Sequence, residues 1–221
     1  MKKIVVVVAL FLTSYLQAQV TKNLGDFDSV KVFDKLTVKL VPLNENKVSI
    51  TGTRAEEVEV INKNGEVKLR MPFPKLLAGN DIKIQLYFKR IESIDASEGS
   101  YVSSDLPFKQ TVLSVNAKEG AQIKVEFDTE KATIRAVSGG ILDLTGKTNS
   151  QIITIASGGV LEAKDLISSQ TTVNVSAGGK AEIHATTLVD AKVKAGGSIY
   201  IYGKPKQINQ ETILGGTIIE K

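Results

Sequence analysis

Cysteine is absent from the 221 residues of this chain, and histidine occurs only once. The lack of cysteine excludes disulfides, thiol catalysis, cysteine metal sites and a lipoprotein anchor, which is attached to cysteine. Trp is also absent and only 5% of the residues are aromatic, so the core must be built from Val, Ile, Leu and Ala. Hydrophobic residues at 42% and charged residues at 24% are typical of a folded soluble domain.

Charge of one sign is not concentrated in any part of the chain. The sequence has 28 Lys and Arg against 24 Asp and Glu, a net charge of +4. Lys2 and Lys3 stand at the extreme N-terminus, and without them the balance is 26 against 24. Because no block of basic residues stands elsewhere, a nucleic-acid partner is not expected.

The first 18 residues have the pattern of an export signal. Lys2 and Lys3 precede an unbroken apolar run over residues 4–12, and the small Ala18 stands before Gln19. This run is too short to cross a bilayer. We therefore predict a signal peptide over residues 1–18 and an exported mature chain, 19–221, without a transmembrane segment. Its location would be the periplasm, the cell surface or the extracellular space, and an uncut N-terminal anchor is the alternative.

Glycine recurs through the second half of the chain at a nearly constant interval. The recurring positions are Gly99, Gly120, Gly139, Gly158, Gly178, Gly196 and Gly215. The steps between them are 21, 19, 19, 20, 18 and 19 residues. Such a period is the signature of a repeat architecture in which each unit stacks on the next.

Apolar and polar residues alternate strictly on both sides of each glycine turn. Before the turns stand apolar positions such as Ile134 and Ala136, and after them stand Leu142 and Leu144. This alternation predicts two short strands per repeat, each with one buried face. We predict an all-β, single-domain, parallel β-solenoid over residues 19–221. Its regular coils, about 20 residues long, occupy about residues 91–221.

The N-terminal part of this predicted domain is less regular. Alternating segments over residues 24–90 indicate opening coils together with hairpins, continuous with the solenoid. Asn64 and Gly65 lie between two such segments and are typical of a tight hairpin turn. Residues 72–80, which include two prolines, interrupt the pairing and predict a surface loop.

Several of these segments resemble one known family. They are the opening strand at residues 27–32 (FDSVKV), the Ser-Gly-Gly and Ala-Gly-Gly turns, the GGSIYIYGKP segment at 196–205, and the GGTI segment at 215–218. Together they are similar to the autotransporter adhesin "head GIN" domain, a domain of unknown function common in Bacteroidetes. The resemblance covers about residues 27–219. It implies a right-handed β-helix-like fold in an exported protein with an adhesin-like role, and it implies no catalytic residues.

Outward positions on successive coils form one column of charged side chains. Asp143, Glu162 and Glu182 occupy the same place in consecutive repeats, with Lys124 before them and Tyr200 after them. Carboxylates stacked on neighbouring strands could supply the pair that a glycosidase needs, or they could bind Ca²⁺ weakly. A solvated outer face is the simplest interpretation.

Two further features of the last repeats bear on binding. Tyr200 and Tyr202 share one face near the end of the solenoid and are candidates for stacking on sugars, although packing against the end of the solenoid is the simpler interpretation. His184 follows an inward position, and we expect it on a surface turn. Because no serine nucleophile and orienting aspartate accompany it, a catalytic triad is not predicted.

The sequence as a whole predicts a binding or scaffold protein of the cell envelope rather than an enzyme. Its partner would be a glycan or another surface protein, and no catalytic residue, metal or cofactor is expected. The surface-binding candidates are Asp143, Glu162, Glu182, Tyr200 and Tyr202. The alternative is a carbohydrate-active enzyme, a polysaccharide lyase or hydrolase, that uses the acidic column.

Overall fold

Seventeen strands of residues 19–221 are hydrogen-bonded into one continuous sheet, which coils around the core. The computed structural model describes residues 19–221, and the predicted signal peptide lies outside the described residues. A short 3₁₀ turn spans Ala55–Glu57. The strands are β1 (Gln19–Asn23), β2 (Ser29–Val32), β3 (Thr37–Pro42), β4 (Lys47–Thr51), β5 (Glu59–Lys63), β6 (Glu66–Arg70), β7 (Lys83–Phe88), β8 (Ser93–Ala96), β9 (Tyr101–Ser103), β10 (Phe108–Lys118), β11 (Gln122–Val137), β12 (Ile141–Ala156), β13 (Val160–Ser176), β14 (Lys180–Lys194), β15 (Ser198–Tyr202), β16 (Gln207–Ile213) and β17 (Thr217–Glu220).

Parallel pairing of equivalent residues stacks the regular coils. Ile123 of β11 is the register partner of Leu142 in β12, which in turn pairs with Leu161 in β13. All three side chains are buried, and Ala181 and Ile199 continue the same buried row. Each coil needs its neighbours to shield this row from water. The structure confirms the predicted all-β solenoid.

The glycine turns use their two glycines for different reasons. In one turn, Ser138 and Gly139 both have positive φ, 50° and 75°, a conformation that glycine adopts without steric cost. Gly140, in contrast, lies against the previous coil. A Cβ atom added to it would stand 2.2 Å from the carbonyl oxygen of Ala117. The first glycine therefore permits the bend, and the second permits the coils to approach closely.

The N-terminal strands complete the opening coils in an order that differs from the chain order. β2 lies between β6 and β8, and β3 lies between β7 and β9, all in parallel. Outside them, β5 pairs antiparallel with β6, β4 pairs antiparallel with β7, and β1 pairs antiparallel with β4. Asn64 and Gly65 form the β5–β6 turn with φ of 54° and 79°, as predicted. These hairpins cover the first edge of the solenoid, where unpaired strands invite association.

The last described coil changes the character of its inward positions. Gln210 and Thr212 of β16 pair with the buried Ala191 and Val193 of the coil before. Glu220 of β17 likewise pairs with the buried Ile201. Three polar residues thus occupy positions that carry aliphatic side chains elsewhere. Inward-pointing polar and charged side chains make a sheet edge a poor template for further strands.

Candidate functional site

The charged column predicted from the sequence is present as one row of register partners. Lys124, Asp143, Glu162, Glu182 and Tyr200 follow one another on β11, β12, β13, β14 and β15. We call this row the outer column. Its members alternate along each strand with buried residues, so the side chains point away from the core. The structure therefore brings the three predicted acids and Tyr200 together on one face.

Lysine side chains neutralise two of the acids in the outer column. Lys124 Nζ lies 2.6 Å from Asp143 Oδ2, and Lys180 Nζ lies 2.7 Å from Glu182 Oε1. The hydrogen bond that Lys124 donates to Asp143 raises the pKa of Lys124, and the hydrogen bond that Lys180 donates to Glu182 raises the pKa of Lys180. Lysine charges beside the stacked carboxylates relieve the repulsion that these carboxylates would otherwise produce.

Glu162 differs from the other acids of the outer column. It lies exposed between Asp143 and Glu182 and has no ion-pair partner within residues 19–221. Its charge still acts at longer range, because it contributes to the raised pKa of both Lys124 and Lys180. The carboxylate of Glu162 is thus available to accept hydrogen bonds from a ligand.

Aromatic rings occupy the end of the outer column. Lys180 Nζ lies 5.6 Å and Lys221 Nζ 5.5 Å from the centroid of the Tyr200 ring, distances at which an ammonium is attracted to the ring face. Tyr202 stands two residues on along β15 and points to the same side. Both tyrosines are half-buried. One further coil follows them, since Tyr200 pairs with Ile219 of β17.

His184 lies within strand β14, so the expected surface turn is wrong. It pairs with Ile167 on one side and Tyr202 on the other. Its Nδ1 atom lies 2.9 Å from the carbonyl oxygen of Lys164. The error arises because β13 carries extra residues between Ala163 and Ile167 that shift the register against β14. A repeat count that ignores this bulge places the corner of the coil wrongly.

The arrangement favours recognition by many polar contacts on an open face. No group of three or more His, Cys, Asp or Glu residues with the geometry of a metal site occurs in the described chain. Two carboxylates of the outer column are paired with lysines, Asp143 with Lys124 of the adjacent coil and Glu182 with Lys180 of its own strand. A preset row of acceptors, donors and rings suits a polar ligand that extends over several coils.

The family comparison agrees with the pattern of turns and strands. The family described as "Putative auto-transporter adhesin, head GIN domain" matches residues 26–205. This chain belongs to that family. The matched range contains the whole outer column and Tyr202, so the candidate site lies within the head GIN domain. The family predicted from the sequence is confirmed.

Solved structures share the head GIN fold at low sequence identity. A putative adhesin from Bacteroides fragilis NCTC 9343 has a TM-score of 0.82 and 18% identity, with 94% of this chain and 98% of that chain covered. A putative adhesin from Parabacteroides merdae ATCC 43184 has a TM-score of 0.69 and 16% identity, with 92% of this chain and 95% of that chain covered. A putative lipid binding protein from Parabacteroides distasonis ATCC 8503 has a TM-score of 0.68 and 15% identity, with 92% of this chain and 96% of that chain covered. These likenesses establish the fold.

The comparison with curated proteins gives a negative result, since none of them matches this head GIN chain. Over residues 19–221, no helix has the length and the apolar character that a bilayer crossing requires.

A buried row of hydroxyl groups in this head GIN domain escaped the sequence analysis. Thr129, Thr148 and Ser168 are register partners on three coils, and each is at most 5% exposed. Thr129 Oγ1 lies 3.1 Å from Thr148 Oγ1, and Ser168 Oγ donates to the carbonyl oxygen of His184 at 2.8 Å. The sequence does carry a signal, because each hydroxyl stands ten residues before a turn glycine. These hydroxyls bond to one another and to the backbone, and they line the floor of a shallow groove of about 420 Å³.

Proposed function

We propose that this protein is an exported adhesin of the cell envelope that binds glycans through the outer column and Tyr202. Membership of an adhesin family supports a role in surface binding. The export pattern of residues 1–18 supports a location in the periplasm, at the cell surface or outside the cell. A binding protein of this kind needs a rigid exposed face, which the stacked coils supply.

One observation carries the choice of this face. The outer column is continuous over five coils, and its ion pairs hold carboxylate and ammonium groups in place before any ligand arrives. Preorganised groups lose less conformational freedom on binding. Neighbouring strands stand about 4.8 Å apart, so each coil presents its polar group at a regular step along the face.

The chemistry of the column suits sugars. Glu162 accepts hydrogen bonds from hydroxyl groups, and the rings of Tyr200 and Tyr202 offer apolar surfaces beside polar edges. Each contact is weak by itself. Contacts repeated along an extended ligand combine, because each one raises the effective concentration for the next. A polymeric glycan would therefore bind more tightly than a single sugar.

The test is retention of the purified protein on a panel of insoluble polysaccharides and bacterial envelopes. Wild type should be retained saturably on at least one polysaccharide. The variant Glu162→Gln/Tyr202→Ala should lose retention on that material. Thr154→Ala/Asn174→Ala is the matched control, since both residues are exposed register partners outside the column, and it should bind like wild type.

Other outcomes of the same assay would overturn the proposal. Absence of retention on every polysaccharide would reject glycan binding. Retention on envelopes alone, abolished by protease treatment of those envelopes, would point to a protein partner. Soluble oligosaccharides released by wild type and lost with Glu162→Gln/Glu182→Gln would support the alternative of a carbohydrate-active enzyme.

A further inference from the structure

An exposed loop in the first coil carries three large apolar side chains. The loop, residues 72–80, joins β6 to β7, and we call it the Phe73 loop. Phe73 is 86% exposed, Leu76 is 52% exposed and Leu77 is 49% exposed. Single exposed apolar residues are common on protein surfaces, but three on one short loop make it a candidate interaction site.

A buried carboxylate fixes the shape of the Phe73 loop. Asp34 is 1% exposed, and its two oxygens accept hydrogen bonds from the backbone N–H groups of Met71 and Leu77, both at 2.9 Å. Its backbone carbonyl accepts a third hydrogen bond from Gly79. Burying a carboxylate is costly unless such bonds satisfy it. A buried carboxylate thus holds an exposed apolar loop in one conformation.

The Phe73 loop is held against the end of β4 and the 3₁₀ turn. Gln19, the first described residue, pairs with Thr51. The next residue, Gly52, is packed so closely on Asp81 that an added Cβ would lie 2.5 Å from the Asp81 carbonyl oxygen. Arg54 also donates to the carbonyl of Ala78 in the loop.

We propose that the Phe73 loop contacts a lipid bilayer, with Phe73, Leu76 and Leu77 inserted at its interface. The exposed apolar area of the three side chains is on the order of 300 Å², whereas a stable protein interface needs about 800 Å² on each partner. A bilayer interface needs no complementary surface, and binding scales with the apolar area that is buried. This contact is distinct from the glycan face and does not depend on it.

The charges beside the loop specify the kind of lipid surface. Lys75, the only charged residue of the loop, is paired with Glu57 at 2.7 Å. Arg70, at the end of β6, is paired with Glu59 at 2.7 Å. Both of these cations are neutralised, and the third cation beside the loop, Arg54, is engaged with the Ala78 carbonyl, so anionic headgroups gain little from them. Binding should therefore occur on zwitterionic phosphatidylcholine vesicles and should change little with salt.

The absence of Trp from the sequence gives this proposal a local test. Phe73→Trp places a single fluorophore at the loop, and Leu214→Trp places one at the opposite end of the solenoid, where Leu214 is 81% exposed. With phosphatidylcholine vesicles, the emission of Phe73→Trp should shift to the blue and be quenched by lipids that carry quenchers. The emission of Leu214→Trp should not change. No shift at position 73, or equal shifts at both positions, would overturn the proposal.

Vesicle flotation of the full chain gives a second, independent test. Phe73→Ser/Leu76→Ser/Leu77→Ser should float less with phosphatidylcholine vesicles than wild type does, at low and at high salt. Both proteins keep the same N-terminus, so their difference reports on the loop, and Leu214→Ser should float like wild type. Equal flotation of wild type and the triple variant would contradict lipid contact. A wild-type dimer without lipid that the triple variant abolishes would assign the loop to a second copy instead.

Discussion

The carboxylate of Asp34 accepts a hydrogen bond from the backbone N–H of Leu77 at 2.9 Å, across 43 residues of sequence. Replacement of Asp34 by Asn leaves one acceptor oxygen and sets an NH₂ group against a second buried donor. We expect Asp34→Asn to lower the free energy of unfolding by about 1–3 kcal/mol. Because φ of Asp34 is 59°, and asparagine tolerates that region, the backbone itself adds little strain. Denaturant unfolding measures the loss, and cleavage by trypsin at Lys75 should become faster. Unchanged stability and cleavage would show that the carboxylate does not hold the loop.

The two glycines of one turn should respond differently to alanine. At Gly140 an added Cβ would lie 2.2 Å from a backbone oxygen, so Gly140→Ala should cost on the order of 2–4 kcal/mol. At Gly139 no atom lies closer than 4.0 Å and only the φ of 75° is unfavourable, so Gly139→Ala should cost about 1 kcal/mol. Urea unfolding of both variants compares the two effects. A larger loss at Gly139 would contradict the close approach of the coils.

Glu98 gives the stability a dependence on pH. Burial raises the pKa of Glu98, and the negative charge of Asp34 raises it further. A carboxyl with a raised pKa in the folded state stabilises the fold at low pH, and this contribution is lost as the pH rises through the folded-state value. Glu98→Gln should therefore be more stable than wild type at neutral pH, with the difference disappearing in acid. Glu119→Gln, at the same position of the next turn, should change the pH profile less, because the charge of Glu119 is only the smallest cause of the raised pKa of Glu98. Identical pH profiles for Glu98→Gln and wild type would reject this assignment.

The outer column should tolerate the loss of its unpaired acid. Glu162 lies between two other carboxylates, so Glu162→Gln should leave the stability within about 0.5 kcal/mol of wild type or raise it slightly. Adding Glu182→Gln removes one exposed ion pair with Lys180 and should cost less than about 1 kcal/mol. Thermal unfolding with and without a chelator measures both variants. If the double variant unfolds, or if chelator destabilises wild type alone, a cation on the column explains the stability better.

The polar inward residues of the last coil should limit association at that end. In Gln210→Ile/Thr212→Val/Glu220→Val, the end of the solenoid would present an apolar row next to an unpaired edge. We expect this variant to form end-to-end oligomers, visible as an increased mass in light scattering. Asn209→Val/Glu211→Ile changes outward positions of the same strand and should keep the wild-type mass. Equal masses for all three proteins would show that another feature protects the edge.

The regular coils could be predicted because their pattern is local. Each turn repeats after about 19 residues, and the alternation around it identifies the buried row and the outward Asp143, Glu162 and Glu182 together. Register in a parallel stack follows from the turns, so equivalent residues meet without any knowledge of distant contacts. The outer column and the family followed from the same pattern.

The opening coils could not be predicted in the same detail. β2 pairs with both β6 and β8, and no pattern in the sequence of β2 indicates which distant strands it pairs with. The turn between β2 and β3 uses Asp34 and Lys35, both with positive φ, and no glycine marks it. The position of Lys124 beside Asp143 followed from the repeat, but the pairing of Lys180 with Glu182 did not, because both stand on one strand and their contact depends on side-chain conformation.

Because the coils stack at a fixed spacing, the number of coils sets the distance between features at the two ends of the solenoid. Seven strand-to-strand steps separate β7, which follows the Phe73 loop, from β15, which carries Tyr200. At about 4.8 Å for each step, the two features lie roughly 34 Å apart along the stack. Insertion or deletion of one whole coil would change this distance by a single step, and only the two coils that flank the change would acquire a new neighbour, which has the same strand pattern. The number of repeats thus sets the distance between the Phe73 loop and Tyr200, and a change in that number leaves the sequence of both ends unchanged.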